Sequence, residues 1–170
     1  MKTQMHLYLI LFLIGIITFS CQKENQEKRL KASLSSNLIC KSNLKSADAI
    51  SDTISRVEFQ YDESTKKLTF THINTGFNCC PDKLSCEVNL QNDTLKIEEF
   101  EKVAACDCNC LFDLSIEIKD IEKKSYHVQF IEPYAQGLAP LYFDINLNNH
   151  NTGNYSVVRK QYPWGINSIY

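Results

Sequence analysis

Cys106-Asp107-Cys108-Asn109-Cys110, with the adjacent pair Cys79-Cys80 and with Cys86, is the part of the chain best equipped for chemistry. Six of the eight cysteines lie between residues 79 and 110. Residues two apart on a strand point to the same face. If the segment is extended, Cys106, Cys108 and Cys110 share the face of Phe112, Leu114, Ile116 and Ile118, which is the apolar, core-facing side. Cys86 has the same parity as Leu84, Val88 and Leu90. Pro81-Asp82 directly after Cys79-Cys80 marks a turn.

Two kinds of chemistry compete for these thiols. The first is disulfide stapling. Cα atoms two apart on a strand are about 6.7 Å from each other, at the outer limit for a disulfide. Cys106, Cys108 and Cys110 should therefore bond away from one another, with Cys79, Cys80 and Cys86 as natural partners; spacing alone does not choose the pairing. The second is a thiolate site for copper or zinc built from Cys79, Cys80, Cys106, Cys108 and Cys110, with His72 as a nitrogen ligand. The Cys-x-Cys-x-Cys spacing departs from the Cys-x2-4-Cys of zinc sites, and an oxidising compartment favours disulfides. The expectation is a staple with no cofactor, the metal or thiol-redox site being the alternative.

The compartment is read from the N-terminus. Lys2 precedes an almost wholly apolar run from Leu7 to Phe19, too short for an ordinary membrane span. Residues 1–20 read as a signal peptide and 21–52 as a lipidated N-terminus and polar tether. Ser20-Cys21 after the apolar run resembles the lipobox of bacterial lipoproteins, in which Cys21 carries lipid; Thr18 stands where that pattern usually has Leu. Gln22-Lys23-Glu24-Asn25-Gln26-Glu27-Lys28 resembles the surface-export signal of Bacteroidota-type lipoproteins. With Cys21 lipidated, seven cysteines remain, an odd number, and Cys40 is the outlier in sequence.

These motifs must be positioned by strands. Val57, Phe59 and Tyr61 alternate with polar residues, a polar turn follows, and Leu68 and Phe70 continue on a second strand: a hairpin. Further strands are predicted over 84–91, 94–100, 108–119, 125–132, 141–147 and 155–160. About eight short strands with polar turns and no sustained helical period predict an all-β domain over 53–170. The expected architecture is an antiparallel β-sandwich, immunoglobulin-like and disulfide-stapled, with a barrel second. Tyr162-Pro163-Trp164-Gly165 is expected to tuck under it. His72-x-Asn74-x2-Phe77-Asn78-Cys79-Cys80-Pro81, Thr94-Leu95-Lys96-Ile97-x-Glu99, Cys106-x-Cys108-x-Cys110-Leu111-Phe112 and Tyr126-x-Val128 together resemble small cysteine-rich lipoproteins of Bacteroidota-type bacteria. The resemblance implies the fold and an outer-membrane address and does not indicate a function.

No phosphate loop, Gly-x-Ser-x-Gly or His-Glu-x-x-His is present, so no enzyme is expected. A net charge of -2 offers nucleic acid no electrostatic footprint. His72 reads as a hydrogen-bonded structural residue at a strand end, His127 as solvated, His150 as a loop residue, and Glu98, Glu99 and Glu101 as a wet edge. Asp52-Thr53-Ile54 and Asp93-Thr94-Leu95 resemble the O-glycosylation sites of such exported proteins, with Thr53 and Thr94 as acceptors. The functional expectation is a non-catalytic binding or scaffolding protein at the cell surface, held to the outer membrane by its lipid. Its partner would be an envelope protein or a glycan.

Overall fold

The computed structural model describes residues 27–41, 50–103 and 106–159; the signal peptide, Cys21 and the Trp164 turn lie outside them. Among the described residues all elements are strands: β1 (Lys28–Arg29), β2 (Ala32–Ser35), β3 (Ile54–Asp62), β4 (Lys67–Asn78), β5 (Pro81–Gln91), β6 (Thr94–Val103), β7 (Asn109–Ile118), β8 (Ser125–Ile131), β9 (Tyr142–Asn146) and β10 (Thr152–Val158). They form two five-stranded sheets, ordered β1-β5-β6-β8-β9 and β10-β3-β4-β7-β2. Every pairing is antiparallel except β6 with β8. The sheets pack face to face, with Phe70 of one edge-on to Phe130 of the other at 5.6 Å.

Period-two alternation generates the core. Val57, Leu68, Phe70, Ile116 and Ile118 from one sheet meet Val88, Leu95, Ile97, Val128 and Ile145 from the other. Each such aliphatic side chain contributes about 1.5–3 kcal/mol on burial. A second, smaller apolar cluster gathers Phe77, Leu84, Cys110, Phe112 and Leu114 at the cysteine end. The fold is the disulfide-stapled all-β sandwich that the alternation predicts.

The N-terminal boundary is corrected. Part of the segment expected as tether over 21–52 belongs to the sandwich: β1 pairs with β5, and β2 with β7. Leu30, Ala32 and Leu34 pack against the main core. Four residues are too few to show a sequence period, so the segment reads as tether. β4 runs on past Phe70 to Asn78, through a bulge between His72 and Thr75. Asn74 sits in the bulge at φ 59°, a conformation asparagine tolerates better than most residues. Its side-chain amide donates to the carbonyls of Ser51 and Ile54 at 3.0 and 2.8 Å, and its Oδ1 accepts from Lys41 Nζ at 3.0 Å.

Candidate functional site: the cysteine staple and a buried Ser-His-Glu relay

Three disulfides close the cysteine end: Cys40–Cys110, Cys79–Cys108 and Cys80–Cys106, with Cα separations of 5.6, 5.5 and 5.8 Å. As expected, Cys106, Cys108 and Cys110 bond away from one another. Cys86, expected among the partners, is free, and Cys40 takes the place expected for it. The reason is topological. β2 pairs with β7, so the chain running on from Ser35 lies beside Cys110, and Lys41 N–H donates to the Leu111 carbonyl at 3.0 Å. Cys86 lies mid-strand, directly across the ladder from Glu99, and packs against the main core. Burial, then Glu99 and Glu87, push its thiol up to about 11, which makes it a poor nucleophile. The sulfurs of Cys79, Cys106 and Cys108 lie within 4.8 Å of one another, and His72 is not in that group.

His72 is instead the centre of a polar layer between the two apolar clusters. It lies within β4 rather than at its end. Within β3, β4 and β6 and one residue past the ends of β8 and β10, the core-facing series turns polar: Val57 gives way to Ser55, Phe70 to His72, Ile97 to Glu99, Phe130 to Glu132 and Val157 to Arg159. All five are buried, Ser55 and His72 at 0% exposure, Glu99 at 2% and Glu132 at 8%. Glu99 is therefore no wet edge. The ring of His72 bridges Ser55 Oγ, 2.9 Å from Nε2, and Glu99 Oε1, 2.8 Å from Nδ1. The bulge turns Thr75 inward, and its hydroxyl donates to Glu99 Oε2 at 3.1 Å. Arg159 donates through Nη2 to Glu132 Oε2 and through Nη1 to the Ala139 carbonyl. Glu132 Oε1 stands 3.8 Å from His72 Nε2 and accepts no hydrogen bond among the described residues.

Burial pushes the His72 ring towards neutrality, but Glu99 and Glu132 outweigh it, so its pKa is raised. With His72 protonated, the two carboxylates are matched by two cations. Burial raises the Glu132 carboxyl, against the pull of His72 and Arg159. Hydroxyl, imidazole and carboxylate in this order are the parts of a nucleophile relay. Ser55 Oγ, however, lies between the sheets with no exposure, so no substrate carbonyl reaches it. As folded, the relay ties β3, β4 and β6 across the sandwich.

Sequence reasoning singled out His72 and the cysteines, misread Glu99 as a wet edge, and missed Ser55, Thr75, Glu132 and Arg159. The signal was present: each of these except Thr75 continues its strand's inward parity. Among the other expected residues, His127 is exposed, its Nδ1 2.5 Å from Asp144, and His150 is exposed in a loop. Thr53 is exposed in the turn before β3, and Thr94 is half-buried at the start of β6. No known protein family, curated protein or solved structure matches the chain.

Proposed function

We propose that this is a lipid-anchored protein of the bacterial cell envelope, acylated at Cys21 and held on the outer membrane. In this reading the sandwich, immunoglobulin-like in arrangement, has a non-catalytic binding or scaffolding role towards an envelope protein or glycan. One observation carries the reading: the cysteine motif is spent on three disulfides, leaving Cys86 as the one free thiol among the described residues. Disulfides persist outside the reducing cytosol, in keeping with the signal-peptide pattern. Thr53, exposed beside β3, is the better placed of the two glycan acceptors.

The test is metabolic labelling of the full chain with a radioactive fatty acid, combined with cross-linking on intact cells. The reading expects label that Cys21→Ala abolishes, and a discrete cross-linked partner. Label retained by the Cys21→Ala chain, or no label on either, would contradict the anchor. The second reading is a thiol-redox or soft-metal protein. It draws on the proximity of two disulfides, with Cys79 Sγ 4.0 Å from Cys80 Sγ. It requires stoichiometric copper or zinc on the purified chain, or several alkylatable thiols.

A further inference from the structure

The outer face of the sheet is hollowed where β10, β3 and β4 run side by side. A groove of about 360 Å³ crosses these strands. Two rows of side chains line it, set by the ladder register: Thr152, Gln60 and Thr69 in one row, Asn154, Glu58 and Thr71 in the next. The rows repeat about every 4.8 Å across the strands and about 6.8 Å along them. Hydroxyl and amide groups dominate, each able to donate and accept. Arg56, at one end, pairs with Glu58 at 3.0 Å. The lining is therefore neutral overall, and its cation is not free to select an anion. Arg56 Nε is buried and makes no hydrogen bond among the described residues, leaving one donor unfilled there beside the groove. The backbones of β3 and β4 beneath the groove are paired on both sides, while β10 is the edge strand of the sheet among the described residues, so an added peptide strand would pair beside β10 and not over the two rows.

From this lattice we infer that the groove is a binding site for an uncharged, hydroxyl-rich carbohydrate chain. Such a ligand offers donors and acceptors in closely spaced rows and carries no charge for the groove to answer. The inference rests on the binding role proposed above and gives it a place and a ligand class. Phe59 and Gly153 also line the groove, but they share the core-facing parity of Val57 and Val157, and Phe59 packs against the main core. A Cβ at Gly153 would stand 2.5 Å from the Phe59 ring, so glycine lets the aromatic side chain lie against β10.

The experiment is an NMR titration of the full chain with three neutral hexasaccharides (glucan, xylan and mannan) and one polyuronate hexamer. Each is taken to about 10 mM, tenfold above a Kd of about 1 mM. The expected result is saturable shifts at the amides of Thr69, Thr71 and Asn154 with at least one neutral chain. Thr71→Val and Asn154→Ala should each weaken binding at least threefold; Ser33→Ala, on the same sheet outside the groove, should leave it unchanged. The inference is overturned if no neutral hexasaccharide shifts these amides, if the polyuronate binds more tightly, or if Thr71→Val binds as wild type does. Cross-linking of the Thr71→Val chain on cells separates the two levels: a partner captured undiminished upholds the binding role and removes the groove from it.

Discussion

Replacing Glu99 with Gln removes one charge from the layer and preserves its shape. Glu99 and His72 are both fully enclosed and 2.8 Å apart. At an effective dielectric constant of about 20, two charges at that distance attract by about 6 kcal/mol before desolvation is subtracted. Removing one partner of such a buried pair leaves the other uncompensated, and the net loss is about 3 kcal/mol at pH 6. The pH dependence distinguishes this from a packing defect. The folded-state pKa of His72 is raised, so its contribution is fully present below the unfolded value of about 6.5. It is lost as pH rises through the higher folded value. The gap between wild type and Glu99→Gln should therefore be widest near pH 6 and narrow on the alkaline side. Urea denaturation reads it as a midpoint lower by about 1–3 M at pH 6, for slopes typical of small domains. A gap below about 0.5 kcal/mol at pH 6, within the scatter of ordinary surface substitutions, would refute the reasoning. A gap as large at pH 9 would do the same.

Three further outcomes are expected. Cys40→Ala with Cys110→Ala opens a link spanning 70 residues and should cost about 4 kcal/mol; thermal melting of the double variant checks it. The Cys86 thiol, pushed up to about 11, should alkylate slowly at pH 8 and about tenfold faster per pH unit towards that value, whereas a pH-independent fast rate would place it in an exposed, activated setting. Gly153→Val drives a side chain into the Phe59 ring and should destabilise by about 1–3 kcal/mol, with Phe59→Leu in the same chain recovering part of the loss.

Alternation made the eight long strands legible, and the parity of Cys110 with Phe112 and Leu114 placed them on one face, as the structure has them. Three things escaped. β1 and β2 are too short to carry a period, and their places in the sheets are set by Leu30 and Leu34 reaching the core. The pairing of Cys40 followed from β2 lying against β7, a long-range contact that spacing does not encode. The Ser55–His72–Glu99 layer was misread because a carboxylate next to Glu98 and Glu101 looks like a wet edge. Its inward parity with Leu95 and Ile97 was the better guide, and Glu132 after Phe130 and Arg159 after Val157 repeat that pattern. A buried charge is costly unless paired, and the partners came from strands distant in sequence.

The central claim is that the cysteines hold the sandwich together and do not themselves form the working site. It is tested most directly by counting alkylatable thiols on the unreduced full chain purified from envelope membranes, with metal content measured on the same sample. The account predicts one thiol, on Cys86, a thioether-blocked Cys21, and no stoichiometric copper or zinc. Several reactive thiols among Cys79, Cys80, Cys106 and Cys108, with one equivalent of metal, would contradict it and make the cluster the site.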